Sequence, residues 1–289
     1  MNKLLITVGL AWLLARTASA QSTPTTVEVD YLSLVNAERT FAAYTEQEGI
    51  KAGFFRFLAP TALVIVQKKF ASGKPLYEKS AFIPGCLSWW PAYADISASG
   101  DFGYTTGPFE VRPKGKTDAP VAFGHFTTVW QKNSSGVWEV LIDVGIQHDR
   151  PVPSVADLVT PASFHQKHTA DVDTTERRSE LIEAENQLAQ RAGGQSLQVA
   201  YQYALAKEFP VRLYRASRIP SVGLEAVTVA KLETIPAEYT LTGVKIASSG
   251  DMGFSYGYVA YEQKAGAFLR IWKRWPDSSW KVVHEVLDL

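Results

Sequence analysis

The sequence predicts an α+β protein made of two tandem copies of one small domain, each with helices first and an antiparallel sheet after them. Two observations carry this. Four segments recur in the same order, at offsets of 142 to 150 residues. Within each copy, helical periodicity gives way to extended runs separated by turn residues.

The repeat is read residue by residue. Ser99-Gly100-Asp101-Phe102-Gly103-Tyr104-Thr105-Thr106-Gly107 returns as Ser249-Gly250-Asp251-Met252-Gly253-Phe254-Ser255-Tyr256-Gly257. Gly124-His125-Phe126-Thr127-Thr128-Val129-Trp130 returns as Gly266-Ala267-Phe268-Leu269-Arg270-Ile271-Trp272. A further Trp follows each, Trp138 and Trp280. Upstream, Leu34-Val35-Asn36-Ala37-Glu38 matches Leu181-Ile182-Glu183-Ala184-Glu185. One match is chance; four in register are a duplication. The expected boundaries are 27–147 and 176–289, with 148–175 as a connector carrying Pro151, Pro153 and Pro161.

In the first copy, Leu34, Glu38 and Phe41 make a helical face over 31–45, and Ile50, Phe54, Phe57 and Leu58 make a second, shorter one. Extended runs follow at 62–68, 87–98, 102–110, 121–132 and 137–145. The loop Ser134-Ser135-Gly136 places glycine where a three-residue hairpin wants a left-handed residue. Strict alternation from that loop sets Phe126, Trp130, Trp138, Val140 and Ile142 on one face. His125, Thr127, Val129, Glu139, Leu141 and Asp143 fall on the other. The second hairpin repeats the apolar face with Phe268, Trp272, Trp280, Val282 and Val286.

The first twenty residues read as a signal peptide: Lys3, an apolar run from Leu4 to Ala15, and Ala18-Ser19-Ala20 for cleavage. Export, to a periplasm or the exterior, is the expectation. The remaining 269 residues, 27 basic and 29 acidic, suit two domains and carry no basic excess for nucleic acid. No later stretch is apolar for long enough to span a membrane. Cys86 is the only cysteine, so no internal disulfide forms.

Helix with Ala37, Glu38 and Phe41, then Ser-Gly-Asp-x-Gly-Tyr-Thr-x-Gly, Gly-His-Phe-x-Thr-Val-Trp and Gly-x-Trp, resembles the SnoaL-like branch of the nuclear transport factor 2-like superfamily. It is most similar to exported members of unknown function. The resemblance covers most of the chain after the leader, with a looser middle in the second copy. It implies two cone-shaped domains, each a curved antiparallel sheet wrapped on helices around an apolar cavity. It also implies either a non-catalytic small-ligand-binding or scaffold module, or an isomerase, dehydratase or cyclase-type enzyme acting by general acid–base chemistry. Such domains often pair through the sheet, so the two copies are expected to form an internal pseudo-dimer through the face bearing Val129 and Leu141, matched by Ile271 and Val283.

Several side chains are candidates for a site. Glu38 and Glu185 each sit on an apolar helical stripe, either as acid–base groups or as acceptors pinning the helix. His284 replaces Ile142 on what alternation makes the core face, near Tyr256, as a pocket group or a satisfied core histidine. Trp90, Tyr93 and Tyr104 are candidates for a ligand mouth or for plain packing. His125 and Asp143, on one predicted face, form an alternative dyad or a surface pair. Asp101 and Asp251 read as turn residues. No metal-ligand spacing, phosphate loop or serine-nucleophile motif occurs, so no cofactor is expected. The expected partner is a small apolar ligand.

Overall fold

The structure, a computed structural model, describes residues 26–151, 157–161, 172–207 and 209–289. The predicted signal peptide lies outside the described residues. The first copy runs α1 (Thr26–Glu48), α2 (Ile50–Phe57), β1 (Leu58–Val66), β2 (Lys69–Ser72), α3 (Gly73–Lys79), β3 (Cys86–Trp89), β4 (Tyr93–Ile96), β5 (Phe102–Arg112), β6 (Ala122–Lys132) and β7 (Trp138–His148). The second runs α4 (Thr174–Gly194), α5 (Leu197–Ala204), β8 (Arg212–Arg215), β9 (Ser221–Val222), α6 (Leu224–Leu232), β10 (Ala237–Ile246), β11 (Met252–Tyr261), β12 (Lys264–Arg274) and β13 (Trp280–Asp288).

The two sheets have one topology. The first is ordered β2-β1-β7-β6-β5-β3, with β4 also on β5; the second is β10-β11-β12-β13-β8-β9. Each is antiparallel except for one pair: β1 runs parallel to β7, and β8 parallel to β13. The expected antiparallel sheets thus each carry one parallel pair. The strand that follows the first two helices lies between the next strand in sequence and the last strand of its copy. The run expected over 87–98 is two strands, because Pro91 lacks the N–H a continuous ladder needs.

The helices form for local reasons. In α1, Leu34, Glu38 and Phe41 are all fully buried, a single stripe laid against the sheet. Asp173 caps α4, its carboxylate accepting from the N–H groups of Thr175 (2.8 Å) and Glu176 (3.1 Å).

The hairpin between β6 and β7 departs from strict alternation. Its turn is as read, with Gly136 at φ +76°, and Trp130 pairs Val140. Val129 then pairs Ile142, so Leu141 is a bulge residue. The same bulge recurs at Val283, between the pairs Trp272–Val282 and Ile271–His284. Beyond it every side chain changes face. Asp143 turns to the helix side beside Thr128, while Ile142, Val144 and Ile146 join His125, Thr127 and Val129. In the second copy Glu285 turns toward the helices, and His284 and Val286 turn away from them.

The face turned away from the helices is where the copies meet. Phe102 stacks on Phe254 (6.2 Å, 12° between planes), Tyr104 on His284 (5.6 Å, 14°), and Phe70 meets the edge of Tyr256. One core cluster accordingly joins Phe102, Tyr104, Val129, Ile142, Val144 and Ile146 to the second copy's Phe254, Ile271 and Val286. At the seam the two Ser-Gly-Asp turns bind each other. Ser99 Oγ and Ser249 Oγ are 2.9 Å apart, Asp251 accepts from the Ala98 N–H (3.0 Å), and Asp101 accepts from Ser248 Oγ. Asp101 and Asp251 are thus turn residues that also join the copies.

Because the sheets share this core, the chain is expected to unfold in one transition. Phe102→Ala should cost about 3–5 kcal/mol, as truncation of a core aromatic does, and lower the melting of both copies together. Denaturant unfolding followed by tryptophan fluorescence and by amide exchange checks this; two transitions with only the first displaced would contradict it.

Candidate functional site

The helix-facing side of each sheet holds a buried carboxylate from the first helix. Glu38 is fully buried and accepts from Trp89 Nε1 (2.5 Å), Thr105 Oγ1 (2.5 Å) and Trp130 Nε1 (3.0 Å). Burial raises its pKa, and these donors pull against the rise. Glu185 stands at the matching place, accepting from Ser255 Oγ (2.6 Å) and from Arg270 Nη1. Trp272 Nε1 in turn donates to Ser255 Oγ (2.8 Å), as Trp130 does to Thr105 (3.1 Å).

The copies diverge deeper in the cone. In the second, Arg270 is fully buried and donates to Glu285 (2.5 Å) as well as to Glu185. Arg215 Nη2 reaches Glu285 at 2.9 Å, its Nε reaches Glu233 at 2.9 Å, and the Tyr201 hydroxyl donates to Glu285. Burial raises the Glu285 pKa, but Arg270 and Arg215 outweigh it and hold it below the ordinary value. In the first copy Thr128 stands where the register puts Arg270, and Asp143 where it puts Glu285. Asp143 has one donor, Thr128 Oγ1 at 2.7 Å. Burial pushes its pKa up to about 7, Thr128 opposes the shift, and the charge of Glu38 adds to it.

Asp143 lines a pocket of about 340 Å³, walled by Phe54, Tyr77, Trp89, Phe109 and Phe126, with Gly145 and Gln147 at an exposed rim. The register puts Leu287 of the second copy at Gly145's place, and its side chain is buried. The second cone keeps a hollow of about 380 Å³ at its mouth, bordered by the charged Arg215, Arg218, Glu233, Glu262 and Lys264.

The other candidates lie elsewhere. His284 is not in a cone. Its Nε2 is 2.8 Å from Thr127 Oγ1 of the other copy, and Tyr214 meets its ring edge-on. His125 is on that same inter-copy face, its Nδ1 2.9 Å from His148 Nε2, so it and Asp143 point to opposite sides of the sheet and make no dyad. Because His148 Nδ1 lies 2.7 Å from the Arg150 carbonyl, that atom carries the proton and His125 Nδ1 donates to His148 Nε2. Burial lowers the pKa of His125 to about 3, with His148 adding to the effect, and that of His284 well below its ordinary value. Tyr93 lies beneath the Arg212 guanidinium (3.3 Å), and Tyr104 beside His284. Tyr256 packs on Phe70. Trp90 lines a separate surface groove with Arg39, Arg112 and Lys116. Among the described residues no group of three or more His, Cys, Asp or Glu is placed to hold a metal ion, and no helix is long and apolar enough to cross a membrane.

Fold and site together define a tandem α+β protein whose cones differ in content: ion pairs about Arg270 fill the depth of the second, and the first opens beside Asp143. No protein-family model matches the chain, and no curated protein matches it significantly. Solved structures similar to it span one copy. A nuclear transport factor 2-like protein with a cystatin-like fold from Novosphingobium aromaticivorans aligns at 11% identity, over 43% of this chain and 84% of its own, with a TM-score of 0.35. A cystatin-like fold protein from Burkholderia xenovorans aligns at 16% identity, over 41% and 95%, with a TM-score of 0.35. A ketosteroid isomerase-like protein from Erwinia carotovora atroseptica aligns at 11% identity, over 42% and 98%, with a TM-score of 0.33.

The two cones differ in what losing one side chain should do. Arg270→Met leaves Glu185 buried without its cation and Glu285 with Arg215 alone, and should cost about 3–5 kcal/mol, measured by chemical denaturation. Asp143 works with the opposite sign. Its folded pKa is raised above the unfolded value, so its ionisation costs stability progressively as pH climbs from about 4 to about 7. Asp143→Asn should therefore gain on the wild type across that window and keep the gain above it; equal pH profiles would contradict the assignment.

Proposed function

We propose that the chain is an exported binding protein whose first cone holds a small, mostly apolar ligand, with the second cone acting as its rigid partner. One observation carries this reading: the same fold, present twice, is hollow beside Asp143 and filled where Arg270, Arg215 and Leu287 stand. Largely aromatic walls with a single carboxylate are what a small-molecule pocket needs, burial supplying affinity and the polar group orientation. Export rests on Lys3, the Leu4 to Ala15 run and Ala18-Ser19-Ala20. It is checked by N-terminal sequencing of secreted material, which should begin at Gln21.

Gly145→Leu copies the second cone's filling and leaves Asp143 in place. Neutral aromatic fragments that raise the wild-type melting temperature should lose that effect in Gly145→Leu, and should keep it in Trp90→Ala, a change in the outer groove. Fragments that stabilise both Gly145→Leu and the wild type equally would place binding elsewhere.

The proton affinity of Asp143 near neutrality supports a second reading, acid–base chemistry of the isomerase, dehydratase or cyclase type on the same ligand. Deuterium exchange at the α-carbon of bound aromatic ketones, followed by NMR and lost in Asp143→Asn, would favour it over simple binding.

A further inference from the structure

The second copy shows what the two carboxylates of this fold grip. Arg270 lies between Glu185 and Glu285, its guanidinium carbon 4.1 Å from the Tyr239 ring centroid and 4.5 Å from that of Phe268. The strand registers carry each of these partners into the first copy. Glu38 answers Glu185 and Asp143 answers Glu285. Trp89, paired with Phe109, answers Tyr239, paired with Val259; Phe126, paired with Gly107, answers Phe268, paired with Gly257. Thr128 takes the place of the gripped residue, and no described cation lining the first cone stands in for Arg215, the second cation on Glu285. The first cone thus keeps an acidic, aromatic surround without the cation: Trp89 Nε1 supplies Glu38 as Arg270 supplies Glu185, and Asp143, Trp89 and Phe126 line the pocket.

We propose that the first cone binds a small organic cation, an aryl-bearing ammonium, amidine or guanidinium. Its charged group would take the place that the Arg270 side chain holds in the second cone, against Asp143 and the rings of Trp89 and Phe126. This rests on the reading of the first cone as a ligand pocket and names the ligand's chemical class. Glu38 is already supplied by three donors, so Asp143, with one, is the carboxylate left to receive a cation. Trp89 and Phe126 meet edge to face with centroids 6.4 Å apart, offering a ring surface of the kind that attracts cations. Most other lining side chains are aromatic or aliphatic, with Tyr77 and Gln147 as the polar exceptions, so the cation should bear a hydrocarbon body. Around Asp143 stand Thr128 from β6, Glu38 from α1, Phe54 from α2 and Tyr77 from α3, and no Lys or Arg lines the pocket. A bound cation would therefore favour the ionised form of Asp143, and its binding should weaken in acid.

The test compares benzamidine with its neutral near-isostere benzamide, by calorimetric titration of the full chain. Benzamidine should bind about tenfold more tightly than benzamide at about pH 8, and that advantage should shrink toward about pH 5. Asp143→Asn should remove the advantage and spare benzamide. Thr128→Arg, which rebuilds the second cone's ion pairs, should expel both probes. Circular dichroism establishes that each variant folds, and Gly145→Leu replaces Thr128→Arg if that chain does not. Equal binding of the two probes, both lost on filling the cone, would overturn the cation and leave the pocket standing. Benzamidine binding untouched by Asp143→Asn and by filling would put its site elsewhere and overturn the proposal. Binding of neither probe to the wild type would overturn the cation and remove the support for the pocket together.

Discussion

One extra residue in the last strand of each copy, Leu141 and Val283, decides which chemistry faces which way. A bulge exchanges the two sides of a strand for everything beyond it. Here the tryptophan-bearing half of β7 and of β13 faces the helices, and past the bulge the carboxylates Asp143 and Glu285 take over that face. The same exchange delivers Ile142, Val144, Ile146, His284 and Val286 to the other face, where the copies form a common core. Without the bulge, a carboxylate would sit in the inter-copy core and His284 would point into a cone. Both the cone contents and the join between copies follow from this single insertion.

Buried charge in the two cones is handled in opposite ways. A charge taken out of water must be paired, or it gives up its ionisation. The second cone pairs: Arg270 and Arg215 neutralise Glu185 and Glu285, with Glu233 at the edge. The first shifts instead, burial raising the Asp143 pKa to about 7. The paired arrangement is a closed structural element. The shifted one leaves a group able to accept or release a proton beside empty space.

Much of this was legible in the sequence. The duplication, the helix carrying Glu38 or Glu185, the tight Ser134-Ser135-Gly136 turn and the register as far as Trp130–Val140 follow from period, turn chemistry and repetition. The bulge was not, because nothing in Val-Leu-Ile-Asp or Val-Val-His-Glu breaks an alternation of apolar residues. Face assignments beyond it were therefore inverted, which moved Asp143 and His284 to each other's sides and produced a His125–Asp143 dyad that the fold keeps apart. The parallel pairings of β1 and β8 are long-range, with no local sequence sign. One clue to the site was present and unused. Aligning the copies sets Arg270 opposite Thr128 inside an otherwise shared segment, and a buried arginine exchanged for threonine marks a change in what fills the core.

The seam between the copies has a consequence for how such a chain can change. In a symmetric homodimer every contact across the axis occurs twice, so any substitution there must suit its own image. Fusion into one chain lifts that demand. The Ser-Gly-Asp turns still meet as images, Ser99 on Ser249 with Asp251 on Ala98 and Asp101 on Ser248. Around them, Lys273 pairs Asp95 at 2.7 Å, Arg212 covers Tyr93, and Thr127 faces His284, contacts whose mirrored positions hold other residues. The join has become hetero-complementary, so each half can diverge while the other keeps its shape.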